Sequence, residues 1–138
     1  MTAICASLLL AFVNGVAVCP PPIEEMPALL TVYDTALCDP GELCVQGNGD
    51  GYFASMIPVS DEWYGRMAAC PIELFGRTIR VLDMTLFCGD TFGSWNGRPV
   101  DTVVYDQETA RWYIRVDVFW PVHETGEPAW NYWIVEVD

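Results

Sequence analysis

The sequence predicts an all-β domain, on three observations. Short runs rich in Val, Ile, Thr and aromatic residues recur along the chain, Gly, Pro, Asn and Asp separate them, and no stretch carries a sustained helical period. At 138 residues the chain has room for one domain with a real core. Hydrophobic residues make up 52% of it, with six each of Trp, Tyr and Phe, which argues against disorder despite ten prolines.

Met1 to Val18 opens on an apolar run from Ala6 to Val13, followed by Asn14-Gly15 and small residues. Gly15 and Ala17 stand where a signal peptidase reads small side chains, so residues 1–17 are expected to be a signal peptide, cleaved before Val18. The alternative is a buried N-terminal strand. Residues 18–27, with four prolines, read as an extended, solvated connector, and residues 28–138 as the single domain.

Within the domain, Leu29 to Tyr33 is the first expected strand, followed by a loop holding Cys38 and Cys44. Asn48 to Met56 supplies a turn and then a strand. Ser60 is placed to cap one short helical turn, with Asp61 and Glu62 at its favourable N-terminal end. Short strands are then expected around Arg66–Cys70, Arg77–Leu82, Met84–Cys88 and Pro99–Tyr105, and Tyr105 to Arg111 reads as a hairpin connection. Trp112 to Trp120 alternates strictly. Trp112, Ile114, Val116 and Val118 share a face expected to be buried, and Tyr113, Arg115, Asp117 and Phe119 share the opposite one, with Arg115 and Asp117 toward water or a groove. Ala129 to Val137 is the last strand. Many short strands around one core imply a small barrel or sandwich.

The net charge is −13, there is no lysine, and the first arginine is Arg66. Such a chain repels phosphate backbones and anionic lipid, so no nucleic-acid partner is expected. Neutral polymers such as glycans stay open as partners. No segment is long and apolar enough for a membrane-spanning helix. Six cysteines in so short a chain indicate an oxidising compartment, and secretion or display at the cell surface. Cleavage before Val18 would leave five, with Cys19 the expected odd thiol. No C-x-x-C pair exists, so disulfides are expected and metal is not.

Few chemistries fit these residues. There is no glycine-rich phosphate loop. The lone histidine, His123, follows a proline and reads as an exposed loop residue. No G-x-S-x-G supports a serine triad, and a Cys–His pair conflicts with disulfide formation. Carboxylates remain. Asp90 follows an apolar strand and Asp117 sits inside an apolar alternation. Burial disfavours the charged form of a carboxyl, so either could hold a proton near neutral pH, as glycosidic cleavage requires. The plainer readings are an Asx turn at Asp90 and a solvent-facing strand residue at Asp117.

Six segments stand in the order found in the 3D domain. They are Thr31-Val32-Tyr33, Gly51 to Ser55, Met67 to Pro71, Leu74 to Ile79, Asp90-Thr91-Phe92-Gly93 and Arg115 to Trp120. The chain thereby resembles that family, small double-psi β-barrels named for three aspartates and found in membrane-bound lytic murein transglycosylase A and in secreted cell-wall proteins. The resemblance implies a double-psi-like barrel with one short helix and, because Asp90 and Asp117 stand far apart in sequence, an inserted hairpin between Ser94 and Arg111. It implies peptidoglycan or another glycan polymer as partner and no cofactor. Asp90 becomes the expected general acid/base, giving a 1,6-anhydro product through the sugar's own C6 hydroxyl, and Asp117 its support.

The resembling motifs and the aromatic residues together nominate Tyr52, Ser55, Thr91, Trp95 and Arg115 as sugar contacts, with Trp95 expected to be exposed. Trp63, Trp130 and Trp133 are further aromatics able to line a groove. The family's first aspartate is replaced by Cys70, its threonine before Ala-Ser by Phe53, and a glycine by Phe92. In such a barrel the strand ends carrying Cys70 and Cys88 approach each other, so the resemblance implies a Cys70–Cys88 bridge, with Cys38–Cys44 closing a local loop. A site with two of the three aspartates is also compatible with a non-catalytic carbohydrate-binding module, or with a structural or assembly barrel.

Overall fold

The computed structural model describes residues 11–34, 51–95, 98–130, 132–134 and 136–137. The fold is all-β. Twelve described strands form one large sheet and two small hairpins: β1 (Ala11–Val13), β2 (Val16–Val18), β3 (Pro27–Tyr33), β4 (Met67–Cys70), β5 (Thr78–Val81), β6 (Met84–Thr91), β7 (Ser94–Trp95), β8 (Arg98–Pro99), β9 (Val103–Asp106), β10 (Arg111–Phe119), β11 (Tyr132–Ile134) and β12 (Glu136–Val137). The large sheet runs β11-β3-β10-β4-β6-β5-β12, with β9 also on β10. β3–β10 and β4–β6 are parallel, and the other pairs are antiparallel.

The sheet is not closed into a barrel. β11 pairs with β3 and β12 pairs with β5, so nearly consecutive residues reach both ends of the path without a hydrogen-bonded ladder between those ends.

One face of the sheet encloses the main core, including Ala28, Leu30, Ala68, Cys70, Ile79, Leu86, Cys88, Ile114, Val116 and Val118. The alternation of β10 is therefore realised on this side. On the other side it is overruled: Phe119 is buried with Phe53 and Met67 in a second cluster, and Tyr113 is also buried. The cover comes from residues 51–65. This segment was expected to hold a strand and instead folds as a tight loop with one isolated bridge, Tyr52 to Pro58. Phe53 N–H donates to Ile57 and Met56 N–H to Phe53, with Met56 at φ 68°, and Phe53 fits edge-on against Phe119 at 5.3 Å. A Phe of this kind contributes about 3–5 kcal/mol relative to Ala.

Several local expectations change. Asp61–Trp63 is a 3-10 turn, and the Ser60 side chain makes no cap bond to it. Gly65, at φ 71°, ends that segment by donating to the Phe119 carbonyl. The short α-helix, α1, lies at Val122–Thr125. Residues 11–18 form the β1–β2 hairpin around Asn14-Gly15, both at positive φ, and Ala11 and Val18 pack against the core. The expected cleavage point falls within β2. The connector is not wholly solvated, because Met26 is buried and Ile23 packs on the core. Cys19 is disulfide-bonded and is not an odd thiol, consistent with its place directly after a paired strand.

Cys70 and Cys88 form the implied disulfide across β4 and β6, with Cα atoms 5.5 Å apart. Cys38 and Cys44 lie outside the described residues. Between Ser94 and Arg111 the chain forms the separate β7–β8 hairpin and then β9, which joins the large sheet on β10. The turn at 106–111 is tied by Asp106, which accepts from the Glu108 N–H and the Thr109 hydroxyl.

Candidate functional site

The second face of the sheet carries both aspartates. Asp117 on β10 is the register partner of Ala69 on β4, and Ala69 is the partner of Asp90 on β6. On the far side Asp117 pairs with Thr31 of β3. Four neighbouring strands thus place Asp90, Ala69, Asp117 and Thr31 in one row. Directly opposed residues share a face, and strands lie about 4.8 Å apart, so the aspartate Cα atoms are roughly 10 Å apart with one methyl side chain between them.

A register shift makes this row possible. Met67 pairs with Phe87, but Ala69, two residues on, pairs with Asp90, three residues on. The extra residue in β6 is a bulge, and it moves Asp90 to the face shared with Phe87. Without it, Asp90 would follow Leu86 and Cys88 into the main core. Gly89 stands in this bulge: a Cβ there would come 2.5 Å from the Phe87 ring and 2.8 Å from Met67 Sδ.

Asp90 is 0% exposed. Its Oδ2 accepts from the Tyr33 hydroxyl at 2.9 Å and its Oδ1 from the Ala54 N–H at 3.0 Å. Burial raises its pKa, while the bonds from Ala54, Tyr33 and Thr91 oppose that rise by favouring the carboxylate. Burial and the Asp90 charge hold the Tyr33 phenol well above its usual range, so it remains a donor. Asp117 is partly exposed and accepts from the Thr31 hydroxyl at 2.9 Å. Burial pushes its carboxyl up to about 6, the Thr31 bond opposes this, and the Asp90 charge adds to it. Both carboxyls are therefore held above the ordinary aspartate value, and the charge on Asp90 adds to the rise at Asp117.

The expected sugar contacts divide. Ser55 lies beside the bulge, its N–H bonded to the Gly89 carbonyl and its Oγ buried with no partner among the described residues. Tyr52 is partly buried at the base of the same loop. Arg115 is exposed on β10, two residues from Asp117 and on its face. Thr91 turns elsewhere, lining a cavity of about 350 Å³ with Cys70, Ile72, Phe92, Val100 and Thr102. Trp95 belongs to β7, paired with Arg98, and the side chains of Trp95 and Trp133 lie outside the described residues. Trp63 tilts over Phe87 at 6.4 Å, with the Arg66 guanidinium 5.1 Å from its ring centre.

A second polar group escaped the sequence reading. The Asp34 carboxylate, 0% exposed, accepts from the Tyr64 hydroxyl at 2.8 Å and the His123 N–H at 3.0 Å, and meets His123 Nδ1 at 2.5 Å. His123 is a surface residue, as expected, but it sits on α1 and is anchored. The Asp34 contact raises its pKa. Tyr64 stacks on Phe119 at 4.3 Å, and Phe119 tilts against Tyr33 at 5.4 Å, so the group buttresses the cover over Asp90. Tyr33 and Asp34 being adjacent in sequence was the available signal. No group of three or more metal-binding side chains occurs among the described residues.

Comparison of the chain with known protein families, characterised proteins and solved structures finds no match.

Proposed function

We propose that this chain binds a cell-wall glycan outside the cytoplasm and cleaves its glycosidic bond at the Asp90–Asp117 row, in the manner of a lytic transglycosylase. The observation that carries this reading is the row itself: two carboxyls on one sheet face, one alanine apart, both held above the ordinary value by burial. The resemblance to the 3D domain supports the same reading. The Cys70–Cys88 disulfide, with no helix among the described residues able to cross a membrane, is compatible with an exported protein.

The roles of the two aspartates exchange relative to the resemblance. Asp90 is held by three donors that favour its carboxylate against the effect of burial, and in this reading it supplies the fixed negative charge that stabilises an oxocarbenium-like centre. Asp117 is reachable and retains its proton to about pH 6, which suits the donor. Asp117 passes its proton to the glycosidic oxygen as the bond to the anomeric carbon breaks. The C6 hydroxyl of the same sugar then attacks that carbon, and the Asp117 carboxylate takes the hydroxyl proton, leaving a 1,6-anhydro sugar and a restored acid.

The complete burial of Asp90 favours one alternative, a module that binds glycan without cutting it. Mass spectrometry of products from cell-wall sacculi separates the two. The cleavage reading expects anhydro-muropeptides from the wild type and none from Asp117→Asn. Sacculus binding with no soluble product supports the binding module.

A further inference from the structure

Asp117 adjoins a cleft that no part of the proton chemistry uses. β11 covers the outer edge of β3 only at Pro27–Leu29. At the next three residues, Leu30, Thr31 and Val32, no described strand pairs with that edge, and a cleft of about 210 Å³ opens, closed on its far side by Glu127, Pro128 and Trp130. Thr31 belongs both to this cleft and to the catalytic row, because its hydroxyl donates to Asp117 at 2.9 Å. Trp130 is partly exposed and braced edge-to-face by Trp120 at 5.2 Å, so its ring is fixed before any ligand arrives. Glu127 is exposed at the rim.

We infer that this cleft is a sugar subsite, taking one pyranose ring of an uncharged stretch of glycan immediately beside Asp117. The inference rests on the glycan reading above and adds where the polymer lies. A flat aromatic wall matches the apolar face of a pyranose ring, while the Glu127 carboxylate matches its hydroxyls. An anionic ligand is disfavoured by Glu127 and by a chain of net charge −13. An added peptide strand is disfavoured because only three residues of the edge lack a partner among the described strands and Pro128 stands against them. Seated here, the ring is oriented by Trp130 and brings its glycosidic oxygen toward Asp117.

The test is a fluorescence or NMR titration of the full chain with the β-1,4-linked tetramer of N-acetylglucosamine. The wild type binds saturably, Trp130→Ala weakens binding about tenfold or more, and Glu127→Gln weakens it about threefold. Glu127→Gln changes an exposed residue and keeps the fold, so it decides the matter should Trp130→Ala unfold the protein. Normal binding by both variants, or by Glu127→Gln with Trp130→Ala unfolded, overturns the subsite and leaves the glycan reading standing. No binding of tetramer or sacculi by the wild type overturns the glycan reading, and the subsite falls with it.

Discussion

Asp90 and Asp117 lie 27 residues apart with a β7–β8 hairpin and β9 between them, yet both take Ala69 as their register partner. The small side chain between them is buried, and the sheet fixes their separation without help from any loop. Much of the account follows from how that row is built and held.

The bulge in β6 puts Asp90 in the row, and Gly89 permits the bulge. Gly89→Ala sets a Cβ against the Phe87 ring and Met67 Sδ at under 3 Å. Overpacking of this kind costs about 1–3 kcal/mol. Denaturant unfolding is expected to show that loss, and sacculus cleavage to fall further than stability alone explains. A variant with wild-type stability and activity contradicts the geometry.

His123 ties α1 to the buried Asp34, and the pH dependence of that tie has a definite sign. Pairing with Asp34 raises the pKa of His123 above its unfolded value of about 6.5. The extra stability is therefore fully present below about pH 6.5 and is lost as pH rises through the folded value. His123→Gln is expected to lower the melting temperature most near pH ~6, with the gap to wild type narrowing by pH ~9. A gap that widens with pH would show that the contact does not depend on the imidazolium.

Cys70 and Cys88 cross-link the strands that carry Ala69 and Asp90, closing a separation of 18 residues. Replacing both with Ala is expected to cost roughly 2–4 kcal/mol in denaturant unfolding. Because the β4–β6 ladder remains, the folded double variant is expected to keep detectable glycan binding. Loss of all binding at full foldedness would mean that the bridge does more than brace the row.

The N-terminal hairpin and the expected signal peptide predict different molecules. Ala11 and Val18 pack on the core, so a chain that keeps residues 11–17 is expected to melt higher than one starting at Val18. Intact-mass analysis of the protein recovered from its native source, followed by melting of both forms, decides which is the working one.

What could be read from the sequence was what depends on local pattern. The buried face of β10 followed from its alternation, and Tyr105 to Arg111 read as the hairpin connection that joins β9 to β10. The Cys70–Cys88 bridge came only through the resemblance, since nothing local joins β4 to β6. Asn14-Gly15 between Ala11–Val13 and Val16–Val18 was a hairpin signal, masked by the apolar run that also suits an export leader. The row itself was not legible, because register across parallel strands and a one-residue bulge are set by tertiary packing. The pairing of Asp34 with His123 was missed for the same reason: the two partners stand 89 positions apart.

Carbon-13 NMR titration of the Asp117 side-chain carboxyl, in the wild type and in Asp90→Asn, tests the central claim most directly. Burial and the Asp90 charge hold the folded pKa near 6, above the ordinary carboxyl value, so protonated Asp117 favours the fold and stability declines as pH rises through that midpoint. The account predicts a wild-type midpoint of about 6 and a lower one in Asp90→Asn, where the neighbouring charge is gone. A midpoint at the ordinary value of about 4 in both proteins would contradict it, leaving Asp117 without a proton to give.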